Sequence, residues 1–269
     1  SLGSLRAQLP VMGGQATAAH SRLDVLRLAL KRGRPRLVLN CLGYTNVDQA
    51  EREPDVALAV NARGAQAVAR ACAEAGAHLV HVSTDFVFDG QAERPYREDD
   101  PPAPLSAYGR GKLLGEELVA AELPGALIVR SAWLFGPGRC PTFVDKVIAQ
   151  GLAGRPFTVV SDQVGSPTYT ADLARALLDL GGRWIGGVLH VVNQGQASRH
   201  ELAAKALELA GLDPGLARPV PTRMEDGQAR RPAYSVLDAG RAARVLGAPL
   251  PPWPEALARY LKSQREKVA

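Results

Sequence analysis

The chain has 269 residues, 46% of them hydrophobic and 22% charged, the composition of a globular protein with one large domain or two unequal lobes, which excludes a disordered tail. Its 32 Lys and Arg against 27 Asp and Glu leave a formal charge of +5, spread along the chain rather than gathered into blocks, so no nucleic-acid partner is indicated. Cys41, Cys72 and Cys140 form no C-x-x-C pair, apolar runs fall far short of a membrane span, and no charged-then-apolar leader opens the chain; a soluble cytoplasmic protein with no membrane partner is expected.

Short β-branched runs alternate with longer helical patterns, the order of a parallel sheet covered on both faces. Leu37 to Cys41 reads as a buried strand. Pro54 can open a helix, and the Ala-rich run through Ala75 has strong helix propensity until Gly76 supplies a stop. Leu79 to Ser83 is the next strand; after a loop with Pro101, Pro102 and Pro104, Ser106 can cap a helix running through Lys112 to about Ala121. Ala126 to Ser131 is a further strand. Beyond Trp133 the alternation loosens: Gly136, Pro137 and Gly138 mark a turn, and a helix is predicted over Thr142 to Leu152, where a second lobe begins. Phe157 to Val160 and Val188 to Val192 are predicted strands, and the capping-box spacing Ser198-x-x-Glu201 opens a helix ending near Gly211. The Pro-rich stretches 214–222 and 249–254 read as connectors.

Chemistry-bearing residues gather at predicted strand ends, where open α/β sheets bind ligands. Ser83-Thr84-Asp85 ends the Leu79 strand. Tyr108-x-x-x-Lys112 opens the following helix, and one helical turn puts both side chains on one face. A free tyrosine titrates near pH 10, so acid or base work at neutral pH needs help; a nearby ammonium stabilises the phenolate and lowers that value. His81 lies inside a strand and reads as a packed histidine. His20, His78, His190 and His200 have no metal-ligand spacing with carboxylates or cysteines, so no metal site is predicted.

These residues resemble the extended short-chain dehydrogenase/reductase family and, within it, the dTDP-4-dehydrorhamnose reductases. The likeness is carried by the stretch Asn40 to Glu51, by Ser83 to Gly90, by Tyr108-Gly-Arg-Gly-Lys112 and by Arg130-Ser-Ala-Trp133, then by Asp162 to Thr168 and Arg230-Arg231-Pro232, in family order over nearly the whole chain. The resemblance implies an α/β fold: a Rossmann-like doubly wound parallel sheet with a smaller, discontinuous substrate-binding lobe. Residues 1–135 would form the dinucleotide-binding domain, with 157–195 partly returning to it, and 136–156 with 196–269 the substrate lobe. It implies NADPH-dependent reduction of a dTDP-linked 4-keto-6-deoxy sugar to dTDP-L-rhamnose for cell-surface polysaccharide. Tyr108 would give the proton, Lys112 would hold the nicotinamide ribose and depress the Tyr108 pKa, and Thr84 would bond the same oxygen. Asp85 and Trp133 match substrate-contacting positions. Gly43, Tyr44 and Thr45 match cofactor-lining positions, with Asp24 and Val25 near the adenine. Adjacent arginines in a loop are commonly just solvated charge, but a planar fork suits a diphosphate, which makes Arg230 and Arg231 candidates.

The family opens with a strand and a G-x-x-G-x-x-G turn that cradles a pyrophosphate at a helix N-terminus. Here Gly3 can match only the last of those glycines, so the first strand and two earlier glycines are expected to be missing ahead of Ser1. The Asp24-Val25 junction also reads as shortened. His20 and Arg22 lean toward NADPH over NADH, and use of both cofactors stays open. Two other functions stay open: a nucleotide-sugar epimerase or dehydratase of the same superfamily, and a non-catalytic module like the partner subunit of a methionine adenosyltransferase. Monomer and homodimer are both open.

Overall fold

Alternation of side chains across a pleated strand places Leu79 and Ile128 toward one helical layer and Val80, Leu127 and Val129 toward the other. This two-sided burial, in a computed structural model describing residues 17–223 and 227–266, belongs to strands β1 (Leu37–Asn40), β2 (His78–Thr84) and β3 (Leu127–Ser131). Four strands outside this sheet follow, β4 (Leu134–Phe135), β5 (Phe157–Val160), β6 (Val164–Gly165) and β7 (Thr168–Tyr169), before β8 (Gly187–His190) completes a parallel sheet of order β1-β2-β3-β8. β3 is buried throughout and β2 nearly so, whereas Leu37, Val38 and Leu39 of β1, expected to be buried, are only partly covered; each strand sends apolar side chains to both faces.

Helix α1 (Thr17–Gly33) is followed by α2 (Val47–Arg52), α3 (Pro54–Leu58), a π-helical turn at Ala59–Gly64, α4 (Ala65–Ala75) and α5 (Ala107–Glu122). Leu30, Ala69, Cys72 and Val119 of α1, α4 and α5 close one face of the sheet. The helix expected from Pro54 to Ala75 is thus interrupted by the π turn and preceded by a separate helix that Asn46 caps through the Gln49 N–H. Gly76 ends it in the left-handed conformation, φ 65°. Ser106 caps α5 as expected, its hydroxyl accepting from the Gly109 N–H at 3.1 Å.

Helix α6 (Phe143–Leu152) opens on a capping box of Thr142 and Asp145, and α7 (Thr170–Gly182) crosses to the second face of the sheet. Strand β9 (Ala197–Ser198) leads into α8 (Arg199–Ala210), which ends at the left-handed Gly211; β10 (Ala217–Val220), α9 (Gly240–Leu246) and α10 (Trp253–Arg265) follow. Residues 214–222 do more than connect: β10 pairs in parallel with β5, and Pro219 is tolerated because β10 lies at the edge of a two-stranded sheet. At 253, Pro252 leads directly into α10.

The second core joins α6, α8 and α10 around Phe135, Tyr169, Leu202, Leu257 and Tyr260. The Tyr260 hydroxyl donates to Asp145. Of residues 157–195, α7 and β8 join the main sheet while β5 pairs with β10. Within 196–269, α9 departs from the expected lobe: its Ala242 packs with Leu177, Leu180 and Leu189 under the main sheet. No helix among the described residues is long and apolar enough to cross a membrane.

Candidate active site

Strand β2 delivers Ser83, Thr84 and Asp85 to the carboxyl edge of the sheet, all three buried. The first turn of α5 lies against the backbone just beyond them. A Cβ at Gly109 would sit 2.2 Å from the Phe86 carbonyl oxygen, so only glycine lets helix and loop approach this closely. The approach sets the Tyr108 ring edge-on to Phe86, centroids 5.5 Å apart, and brings its hydroxyl to Thr84. Thr84 Oγ1 accepts from the Phe86 N–H at 3.2 Å and donates to Asp85 at 3.1 Å, while the Ser235 hydroxyl donates to the other Asp85 oxygen at 2.6 Å. Burial pushes the Asp85 carboxyl up to about 6 against these two hydrogen bonds.

Tyr108, Lys112 and Glu116 follow one another at single-turn spacing along α5. Lys112 Nζ donates to the Val82 carbonyl at 2.7 Å, and burial lowers its pKa to about 8, with Glu116 and Cys41 opposing. Glu116 forms a buried pair with Arg130 at 2.7 Å and accepts from the Ser83 hydroxyl at 2.5 Å. The sequence led to the expectation of a depressed Tyr108 pKa. Burial outweighs it: the phenol is pushed up to about 12, the Thr84 hydrogen bond pulling it down and Asp85 pushing it up. The group is therefore a protonated phenol at neutral pH.

Gly43, Tyr44 and Thr45 follow β1 at the same edge. Their loop is clasped by Asn61 from the π turn, whose Oδ1 accepts from the Tyr44 N–H at 2.7 Å and whose Nδ2 donates to the Tyr44 carbonyl at 3.1 Å. Gly111 and Gly115 of α5 pack on the other side of Asn61. No motif in the sequence singles out Asn61, although the π turn that carries it is the kind of irregularity that often marks a functional site. His81 Nδ1 accepts from the Asn40 Nδ2 amide at 2.9 Å, and burial lowers its pKa to about 3, so it is neutral, as a packed histidine should be.

Asp24 and Val25 depart from expectation. They lie within α1, not at its start, because no helix breaker interrupts the run from Thr17 to Arg32. Both face out: Asp24 pairs with Arg27 at 3.7 Å and Val25 is 59% exposed. Gly3 and the side chains of His20 and Arg22 lie outside the described residues.

Trp133, with φ 46°, follows β3. Its ring packs so closely on Gly165 that a Cβ there would lie 2.4 Å from Cε2. The Arg199 guanidinium stacks over the same ring at 3.6 Å from its centroid. Beside it opens a cavity of about 560 Å³, lined by Phe143, Phe157, Asp48, Arg199 and Arg231 among others. The two candidate arginines separate here: Arg231 lines the cavity, paired with Asp48 at 2.8 Å, whereas Arg230 is exposed and outside its lining. Arg199 was missed; the capping box locates it at the start of a helix but says nothing of what that helix end faces.

The family model described as the RmlD substrate binding domain matches residues 8–266. The dTDP-4-dehydrorhamnose reductase of Mycolicibacterium smegmatis is 45% identical over 224 residues, covering 82% of this chain and 68% of the relative. That of Mycobacterium tuberculosis is 46% identical over 230 residues, covering 84% and 76%. The crystal structure of dTDP-4-dehydrorhamnose reductase from Bacillus anthracis in complex with NADP superposes with a TM-score of 0.85 at 37% identity, covering 90% of this chain and 85% of the other.

Proposed function

Because the chain belongs to the RmlD family of dTDP-4-dehydrorhamnose reductases and is an NAD(P)H-dependent oxidoreductase, we propose that it reduces C4 of dTDP-4-dehydro-6-deoxy-L-mannose to give dTDP-L-rhamnose, with Tyr108 as proton donor. The observation that carries this reading is the Tyr108 hydroxyl held against Thr84, with Lys112 one helical turn on, at the carboxyl edge of β2.

The edge of β1 suits a nicotinamide dinucleotide chemically. Leu42 is 66% exposed there, Gly43 offers bare backbone, and Lys112 is a buried cation. Gly43, Tyr44 and Thr45 would line the dinucleotide and Lys112 would hold its ribose; NADPH is favoured, in keeping with the NADP of the B. anthracis structure. A reduced nicotinamide supplies the hydride when bound.

The chain's own residues handle the proton. As C4 gains hydride its carbonyl oxygen becomes an alkoxide, and the Tyr108 O–H bond breaks to protonate it. The raised phenol pKa keeps that proton in place beforehand. The resulting phenolate would be stabilised by the Thr84 hydroxyl turning its proton from Asp85 toward it, and by Lys112 one turn along α5. Asp85 and Trp133 would position the sugar, and Arg231 in the cavity would meet the nucleotide portion in the second lobe.

The test mixes the protein with NADPH and the keto sugar, following loss of reduced-nicotinamide absorbance and identifying the product. One NADPH consumed per dTDP-L-rhamnose formed is the expected result; an epimerase or dehydratase would turn over sugar without net oxidation. Tyr108→Phe should lower turnover by about 10²-fold or more. A variant within a few-fold of the parent would remove Tyr108 as the acid.

A further inference from the structure

Arg199 is the first residue of α8, and its position is tightly set. The Ser198 hydroxyl accepts from the Glu201 N–H at 3.0 Å, the Glu201 carboxylate accepts from the Ser198 N–H at 2.7 Å, and β9 pairs with β6 just before the helix. The guanidinium lies 3.6 Å from the Trp133 ring centroid and 5.2 Å from that of Phe143. Stacking engages the planar face of a guanidinium and leaves its N–H edges free to bind. Among the described residues, no carboxylate or carbonyl takes those N–H groups. Arg199 lines the cavity.

Lys146 and Arg223 also line the cavity, but the two other arginines set against the buried part of the site are already paired. Arg130 is paired with Glu116, and Arg231 with Asp48 and the Ala229 carbonyl. Packing against Trp133 could be supplied by an uncharged side chain, whereas a partly desolvated cation without a hydrogen-bonding partner is costly. Burial accordingly lowers the Arg199 pKa to about 10, with Asp85 opposing and Arg231 adding to the fall. Arg199 connects two features: Asp85, bonded to Thr84, lies within its electrostatic reach, and Phe143 and Phe157 line the same cavity as its side chain. An elongated ligand with a sugar at the first and a flat base at the second would carry its charged linkage past the free guanidinium.

We propose that Arg199 is a diphosphate-binding residue of the substrate site, its N–H edge presented to the cavity by stacking on Trp133. The inference rests on the nucleotide-sugar reading above and gives the site a stacked guanidinium with no hydrogen-bonded counterion, which Arg231, bound to Asp48, is not. The planar fork suits paired phosphate oxygens, and stacking fixes its orientation before the ligand arrives.

Isothermal titration calorimetry of the whole chain with thymidine diphosphate, thymidine and NADPH tests this. Arg199→Met should bind thymidine diphosphate at least tenfold more weakly, with thymidine and NADPH affinities within twofold of the parent and a shallower salt dependence. Arg199→Lys, which keeps the charge and loses the fork, should fall between them. An Arg199→Met variant that binds thymidine diphosphate within twofold of the parent would overturn the assignment and leave the reductase reading intact. Parallel loss of NADPH affinity would make Arg199 a packing residue and also overturn it. A parent that binds neither thymidine nor uridine diphosphate would overturn the nucleotide-sugar reading itself.

Discussion

Gly115 sits where α5 meets the π turn, and replacing it with alanine tests how the two halves of the site are held together. A Cβ at 115 would lie 2.3 Å from the Asn61 carbonyl oxygen and 3.3 Å from its carbon. Carbon-to-oxygen contacts ordinarily settle near 3.3 Å, so helix and turn must separate by about 1 Å. The opposing atom belongs to backbone, which no rotamer change can move aside. Overpacking of this kind costs about 1–3 kcal/mol, offset by about 1 kcal/mol of improved helix propensity. A net loss of about 1 kcal/mol would lower Tm by about 2–4 °C in a protein of this size. Activity should suffer more than stability, because α5 carries Tyr108 and Lys112 while Asn61 clasps the Tyr44 backbone. A displacement near 1 Å at reacting groups can lower turnover about 10²-fold. Thermal unfolding and steady-state NADPH oxidation measure the two effects. Gly125→Ala is the control: nothing lies within 4 Å of a Cβ there, and stability should stay within about 0.5 kcal/mol. Parental turnover and Tm in Gly115→Ala would refute the rigid seating of α5 on Asn61.

The buried carboxylates make two further predictions. Asp85 has a folded pKa near 6, above the unfolded value of about 3.9. Between those values the folded state binds more protons, so the stability contributed by protonated Asp85 is fully present below about pH 4 and is lost as pH rises toward 6. Urea unfolding at several pH values should show Asp85→Asn gaining on the parent across that window; a constant difference would mean that the carboxyl titrates normally. Glu116→Gln leaves Arg130 without a counterion, both side chains being only 5% exposed, and should cost about 3–5 kcal/mol in chemical unfolding. Adding Arg130→Met should recover much of that loss, and a Glu116→Gln cost below about 1 kcal/mol would show that water reaches Arg130.

What the sequence determined by itself was local. The strands at 37, 79 and 126 follow from short apolar runs, and the starts of α5, α6 and α8 from Ser106, Thr142 and Ser198 with their neighbours within one turn. The left-handed stops at Gly76 and Gly211 follow likewise, and so does the single-turn spacing of Tyr108 and Lys112. Each rests on interactions a few residues apart, so each leaves a pattern in the string. Tertiary structure alone decided the rest. Asp48 meets Arg231 across 183 positions and Asp85 meets Ser235 across 150. Such pairings depend on how layers pack, and no local pattern separates Arg231 in the cavity from Arg230 outside it. Pro219 reads as a breaker until an edge position makes its missing N–H harmless. The Tyr108 pKa turned upward for the same reason: spacing put a lysine nearby, but only packing set how much water the phenol loses. Arg199 became visible last, because a helix N-terminus acquires chemistry only from what the fold sets before it.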